Sequence, residues 1–599
     1  MTCHPRLGGA AVAEGMRRGS SEHLSFDVRK IIHMKGIRIY CENVNAGVKV
    51  EMGTTLKELS EQVCNEATCG VPVLAALVDN KLKSLDYKII NPHNVRFIGY
   101  NHPDGRRTYI RSLCFVLQNV VRELYPDKVL SIDYALPSGL YCEIREITPA
   151  EDGRPRPLFL TDDQLARIEE RMREIVAQNH AFGKQMLSLE ECCSLFGQNN
   201  QKEKVNLLKT LGRFNYNVYF LDGQADTFYG PLVQSTGVLT TFDIMGFNDG
   251  FCLQYPMDGD PDKVLPIKRQ SKIATALKDY SDWCSVMGVR GVGTLNAKVL
   301  SGEIVDLINL SEALHERKYA EIADQIYARK GSVKIVFIAG PSSSGKTSTS
   351  KRLALQCRIL GLNPKIIELD NYFVDREFTP RDANGEYDFE ALEAMDLDFL
   401  GRQLNDLLDG KEVEIPRFDF KEGKRFFDGN MMQLHEKDIL IMEGIHALNP
   451  AMIPGVDGSK VFRVYASALT SLSIDENNNI STSDNRMLRR MIRDNRTRGV
   501  IPEVTIMRWQ SVRRGENRNI FPFQEYADAV FNSAHIFELP VLKYYAEPLL
   551  RRISPSSPAF TEASRMLKFL DYIVALSPSE IAAIPPTSIL REFIDGQTL

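Results

Sequence analysis

The sequence predicts a multidomain chain: a C-terminal α/β unit built on a parallel sheet, preceded by smaller α+β modules. Three observations predict it. The chain has 599 residues, enough for three or four domains at ~150 residues each. From residue 333 onward, short apolar runs alternate with helical segments, the pattern of parallel strands joined by crossover helices. The first of those runs leads straight into a loop with two glycines and then into a helix.

Bulk properties exclude several classes. Hydrophobic residues make up 43% and charged residues 25%, ordinary for a globular protein. With 73 basic and 78 acidic residues the net charge is −5, so no global attraction to nucleic acid or anionic membrane exists. No run approaches the ~18 apolar residues of a membrane span. The 11 cysteines are scattered except for adjacent Cys192 and Cys193, without C-x-x-C spacing. A chain of this size needs no disulfide staples, so the reading is a reducing, cytoplasmic compartment.

Residues 1–33 have neither a signal-peptide core nor helical patterning and read as a disordered leader or an over-extended start. Segment 37–59 reads as two strands turning at Asn45-Ala46-Gly47, then a helix capped by Thr54 or Thr55. The runs PVLAALVDN and HNVRFIGY continue this small unit to about residue 100. Segment 108–125 has the spacing of a core helix. LSIDYALPSGLYCEI reads as a hairpin. Segment 162–180 is an amphipathic helix with Asp162 as its cap. Strands are expected in 217–256 and helix in 303–328.

In the C-terminal unit the strand candidates are 333–339, 364–369, 438–444 and 461–466. The first is followed by GPSSSGKT, Gly340, Pro341, Ser342, Ser343, Ser344, Gly345, Lys346 and Thr347, with Ser348 next. This is G-x-x-x-x-G-K-[ST] between strand and helix, where its mechanism requires it. Glycines let loop N–H groups turn inward to phosphate oxygens, and the helix adds its positive end. Lys346 supplies charge for the outer phosphates, and Thr347 a hydroxyl for Mg²⁺. The motif alone admits ATP or GTP, with Mg²⁺. Glu443 closes a strand where a carboxylate could hold Mg²⁺ or its waters. Asp370 follows another strand, placed to orient an acceptor hydroxyl and take its proton. From Arg486 to Arg518 stand ten arginines against three acidic residues. Arg489, Arg490, Arg493 and Arg498 fit a helical lid over a transferred phosphoryl group.

LDNYF, YDFEALEAMD (387–396), IPRFDF (415–420), ILIMEGI, LRRMIRD and YADAVFNSA (526–534) share order and spacing with one family. Segment 331–552 resembles the uridine kinase and phosphoribulokinase family of P-loop kinases. The resemblance implies Asp370 as the catalytic carboxylate, with Lys346, Arg490 and Arg493 in the transfer step. It implies Arg498 beside ATP, and Tyr372, Glu390 and Phe418 beside the acceptor. The pocket departs from uridine kinases at Phe418, Gly423, Val500 and Arg508, where a Tyr, a His, an Arg and a Gln are usual, so base recognition should differ.

Residues 37–100 resemble the TGS domain, a β-grasp module. RELYPDKVLSIDYALPSGLYCEI, LTDDQLARIEERMREI and DTFYGPLVQSTG make 108–256 resemble the second additional domain of threonyl-tRNA synthetase, which edits mischarged tRNA. Its ligand-type residues fall here at Arg111, Phe115, Phe228 and Leu232, none able to ligate zinc. The implied organisation is a leader (1–33), a TGS-like domain (34–100), a synthetase-like domain (101–260), a helical connector (261–330), the kinase-like domain (331–552) and a helical tail (553–599). The implied activity is transfer of the ATP γ-phosphate to a hydroxyl of a nucleoside or related sugar compound. The alternative is an RNA- or ribosome-associated ATPase switch. Expected partners are the small-molecule acceptor, RNA at the N-terminal modules, a second copy of the chain, and no membrane.

Overall fold

The computed structural model describes residues 36–599 apart from 70–71, 137–138, 265–270, 382–384, 386, 420 and 454. The leader 1–33 lies outside the described residues. The N-terminal unit is a five-stranded sheet in the spatial order Ala46–Val50, Ile37–Cys41, Asn94–Ile98, Ala75–Val78, Lys81–Lys83. The first hairpin turns at Asn45, whose φ of 50° is left-handed, a conformation that asparagine tolerates. Ile37–Cys41 pairs in parallel with Asn94–Ile98, so the chain must cross over between them. Helix Leu56–Val63 lies in that crossover, capped by Thr55 in a reciprocal box with Glu58. The structure departs from the expectation of no disulfide at one place: Cys64 and Cys69 are bonded. Cys69 ends the single helical turn Glu66–Cys69, which brings the two sulfurs together at a spacing outside the C-x-x-C rule.

The next helix, Pro103–Leu124, begins ahead of the expected 108. Pro103 suits the first turn, and His102 accepts the Asp104 N–H. Its apolar face packs on hairpin Lys128–Leu136/Gly139–Glu146, which Gly250–Gln254 and Asp243–Phe247 extend into a four-stranded antiparallel sheet. Helix Asp162–Gln178 is capped by Thr161 rather than Asp162, because the threonine hydroxyl accepts the Gln164 N–H. Asp162 still favours the positive helix end.

The C-terminal sheet has five strands: β1 (Ile335–Ala339), β2 (Asn363–Glu368), β3 (Asp438–Glu443), β4 (Val461–Ser467) and β5 (Ala529–Asn532). All pairings are parallel, in the order β2-β3-β1-β4-β5. β1 is buried along its whole length, as a central parallel strand must be. The connections leaving β1 and β3 cross one another's strand, so their carboxyl ends border the crevice where ligands of open α/β sheets sit. Three helices bear on that edge: α1 (Lys346–Ile359), α2 (Thr482–Arg498) and α3 (Pro502–Asn519).

The two halves share their cores. Leu207, Tyr280 and Val292 pack in one cluster with Leu488, Met491 and Trp509, and Tyr134 and Tyr141 join Phe337 and Leu369 in another. Between β4 and α2 the chain loops back into the synthetase-like half. There Ile132 N–H donates to Glu476 O (2.9 Å), and Asn477 Nδ2 donates to Leu130 O (3.1 Å). Fully buried Lys204 is ion-paired to Asp226 and reaches Asp475 at 3.7 Å. Among the described residues, no helix is long and apolar enough to cross a membrane.

Candidate active site

The loop after β1 closes because two positions exclude a side chain. A Cβ on Gly340 would lie 1.9 Å from the carbonyl oxygen of Ala466 on β4, so glycine is needed for that approach. Gly345 has φ of 79°, and its Cβ would meet Ile589 Cδ1 at 2.4 Å. Ser343 also turns left-handed, with φ of 58°. Such turns direct successive N–H groups into a concavity that binds anions. The Ser344 carbonyl accepts from Ser533 Oγ at 2.6 Å, and Lys346 Nζ lies 3.5 Å from the carbonyl of Pro341. The hydroxyls of Ser343 and Ser344 are buried and have no hydrogen-bond partner among the described residues. Buried hydroxyls left unpaired are costly unless a ligand completes them.

Three carboxylates face Lys346. Glu443 ends β3, Asp370 lies in the 3-10 turn Leu369–Tyr372 beyond β2, and Glu390 lies on the loop that packs on Gly515. Burial pushes the Glu443 carboxyl up to about 7; Lys346 opposes and Asp370 reinforces the shift. Burial, then the charge of Glu516, pushes Glu390 up to about 7 against Arg490 and Lys346. Asp370 is raised chiefly by burial, with Lys346 pulling the other way. A site in which several buried acids resist ionisation together wants a cation. Thr347 Oγ1 donates to Glu443 Oε1 at 2.5 Å, so two oxygen donors already stand side by side, the ligand type that Mg²⁺ takes.

The arginines of α2 divide into two sets. Arg486 and Arg489 are fully buried and ion-paired to Glu516 and Glu538. Arg490 faces the loop, its Nη1 donating to Ser342 Oγ at 2.7 Å, whereas Arg493 lies 2.9 Å from Asp494 on its own helix and 3.9 Å from Glu592 of the tail. Arg498 is exposed, 3.6 Å from Asp494, and its charge reaches Asp370. Tyr372 does not line this crevice. It is fully buried, and its hydroxyl donates to Gln403 at 2.9 Å. Phe418 lies on strand Arg417–Asp419, takes its N–H to Asn371 Oδ1, and lines a cavity of about 700 Å³ with Glu368, Asn371 and Ile415. Gly423 turns with φ of 70° and admits Arg376 where a Cβ would be 2.7 Å from its guanidinium, which explains the missing side chain there.

Several residues at the loop had no sequence signal. Glu516, 174 positions away, accepts the Ser342 N–H at 3.0 Å. Glu592, 244 positions away, accepts from Ser348 Oγ at 2.5 Å, and Gln597 Nε2 donates to that hydroxyl at 2.7 Å. The tail thus adds Ile589, Glu592 and Gln597 to the loop's surroundings. In the N-terminal half, Arg111 Nη1 donates to Pro231 O at 2.7 Å, and Phe115 meets Phe228 edge-on at 5.4 Å. The positions corresponding to the editing ligands therefore converge, and aromatic packing fills the place between them.

Residues 335–538 match the sequence profile of the Phosphoribulokinase / Uridine kinase family. The match is confined to this segment. The chain is 29% identical over 197 residues to uridine kinases of Macrococcus caseolyticus and Staphylococcus aureus, covering 33% of this chain and 86% of each. The N-terminal region is similar to the threonine–tRNA ligase of Acetivibrio thermocellus, 27% identical over 194 residues, or 32% of this chain. That match spans only 29% of the ligase. A structure described as a possible uridine kinase from Bacillus stearothermophilus superposes with a TM-score of 0.25 at 18% identity, covering 38% of this chain and 99% of that one. That score is too low to carry weight.

Proposed function

We propose that the chain transfers the ATP γ-phosphate to a hydroxyl group of a nucleoside or a related sugar compound. The observation that carries this reading is the loop Gly340–Thr347, whose buried Ser343 and Ser344 hydroxyls have no partner among the described residues while Lys346 faces three carboxylates. Gly340, Pro341, Ser342, Gly345 and Ser348 complete the cradle for the phosphates. Mg²⁺ held by Thr347 and Glu443 would neutralise charge on the outer phosphates. Asp370 orients the acceptor hydroxyl and accepts its proton, while Glu390 and Phe418 bound the acceptor's place. Arg490, bonded to Ser342 of the loop, and Arg493, one turn further along α2, would meet charge spreading on the transferred group. Arg498, at the end of α2, is assigned to the nucleotide. Tyr372, two residues beyond Asp370, is held in the core by its bond to Gln403 and is not assigned to the acceptor. The relatives' name favours a nucleoside acceptor, and a cytoplasmic setting suits a small-molecule kinase.

The test is a mass-spectrometric screen of nucleosides and phosphosugars with ATP and Mg²⁺, run beside Asp370→Asn. One acceptor should gain a single phosphoryl group with the unaltered chain and far less with the variant. ATP hydrolysis stimulated by RNA with no phosphorylated product would reject this reading in favour of an RNA-associated ATPase switch.

A further inference from the structure

Helix α3 carries a glycine inside it, Gly515, about one turn before its end. Its backbone is ordinary helix, so no unusual dihedral asks for glycine, and glycine weakens a helix interior relative to alanine. The reason is space. A Cβ on Gly515 would lie 2.6 Å from Glu390 Cβ and 2.7 Å from its Cγ, well inside the ~3.5–4.0 Å of packed carbons. Glu390 cannot simply back away, because the same side of the helix holds its loop. Asn519 Nδ2 donates to the Glu390 carbonyl, and Arg518 Nη1 donates to Asp388 Oδ2 at 3.2 Å. Asp388 Oδ1 in turn accepts the Glu390 N–H at 3.2 Å, and the Asp388 carbonyl accepts the Ala391 N–H at 3.2 Å. The Asp388 N–H donates to Pro380 O at 2.7 Å. Residues 515, 518 and 519 are spaced i, i+3 and i+4 and so share one face.

The next residue of α3 faces the phosphate loop. Glu516 is fully buried, and its carboxylate accepts the Ser342 N–H at 3.0 Å. The same carboxylate takes Arg486 Nη2 at 2.8 Å and Arg513 Nη1 at 2.9 Å. Arg486 Nη1 also donates to Ser342 O at 3.0 Å. Both backbone groups of Ser342 are thus held from α2 and α3. One turn of α3 therefore touches the acceptor loop on one side and the phosphate loop on the other. The two carboxylates also act on each other: burial first, then the charge of Glu516, raises the Glu390 carboxyl.

We propose that α3 couples the acceptor loop to the phosphate loop, with Gly515 as the positioning residue for Glu390 and Glu516 as the positioning residue for Ser342. This rests on reading Glu390 as a boundary of the acceptor's place. The missing side chain at 515 sets how deep Glu390 sits. A turn of helix is stiff, so a nucleotide that fixes Ser342 also fixes 388–391 through it. An acceptor against Glu390 in turn favours the loop conformation that grips phosphate. By linkage, each ligand raises the affinity for the other by the same factor.

The experiment is hydrogen exchange read by mass spectrometry on the full chain, with and without the non-hydrolysable analogue AMP-PNP and Mg²⁺. AMP-PNP should slow exchange of the Asp388, Glu390 and Ala391 amides by about fivefold or more. In Glu516→Gln at saturating analogue, that protection should be lost. Gly515→Ala should speed exchange of the same amides without nucleotide. It should also raise the acceptor KM about tenfold at nearly unchanged kcat, the mark of lost uniform binding. Uridine is the first acceptor tried, then the compound that the mass-spectrometric screen returns. Circular dichroism melts check that both variants fold, and a glycine with a merely structural role would move the melt alone. Exchange at 388–391 indifferent to AMP-PNP, protection that survives Glu516→Gln, or unaltered exchange and KM in Gly515→Ala overturns the proposal. Failure of the analogue to bind removes the reading of the site and the proposal together. Where the analogue binds but the unaltered chain phosphorylates no acceptor, the reading of the site fails, and the exchange measurements still decide the coupling.

Discussion

At the scale of single residues, the roles proposed for Lys346 and Asp370 are separable. Lys346→Ala removes preorganised charge, and steady-state turnover should fall about 10²-fold or more. Asp370→Asn keeps the shape of the turn and should leave ATP affinity nearly unchanged while kcat collapses, as for an interaction made in the transition state. Glu592 works in the opposite sense. Its carboxylate takes the Ser348 hydroxyl at the mouth of the loop, where the phosphates of ATP must approach. Glu592→Gln should therefore tighten ATP binding about fivefold, a change of ~1 kcal/mol for one partly screened charge. Calorimetry of a non-hydrolysable analogue reads it, and weaker binding in the variant would mean that Glu592 supports the site. Lys346 and Thr347 were legible in the sequence because the motif is contiguous and its mechanism is local. Glu592 and Glu516 were not. Their contacts close over 244 and 174 positions, and nothing near either residue marks it.

At the scale of elements, α2 shows what a run of arginines conceals. The sequence marked the helix and its charge, but Arg489 and Arg490 are neighbours in sequence with different neighbours in space. Successive residues on a helix point about 100° apart. That rotation buries Arg489 against Glu538 and leaves Arg490 on Ser342. Arg489→Met strands a buried carboxylate and should cost about 3–5 kcal/mol in a denaturant titration. Arg490→Met should leave that titration nearly unmoved and lower kcat instead. Equal losses of stability in both would erase the division. The strands β1 to β4 were legible from their apolar runs, since buried parallel strands have no other composition. β5 passed as part of a motif, because four residues are too few to show a period.

At the scale of the whole molecule, the buried histidines set a pH limit. Burial holds His315 down to about 3 and His535 well below its ordinary value, the two rings stacked at 3.9 Å. The unfolded chain takes up protons near 6.5, so it binds more of them than the folded chain between that value and about 3. The stability contributed by the histidines is therefore complete above pH 7 and falls as pH drops through that window, by about 2 kcal/mol per histidine between pH 7 and 5, while the raised carboxyls of Glu443 and Glu390 act in the opposite sense. Urea melts of the chain and of His315→Gln at the two pH values isolate one histidine: the unaltered chain should lose about 2 kcal/mol more than the variant between them. The synthetase-like and kinase-like likenesses were legible from the sequence. The fusion of their cores was not, because each amphipathic face states only that it is buried and not against what. That fusion governs how the protein must be made. The backbone pairing of Ile132 with Glu476 cannot form until more than three hundred further residues have left the ribosome, and the segment around Ile589 that meets Gly345 emerges later still. The N-terminal half must therefore wait with an unfilled core throughout synthesis. It is there, rather than at the catalytic loop, that chaperones should be found on the nascent chain, and a synonymous change in translation speed before residue 480 should alter yield without altering the finished protein.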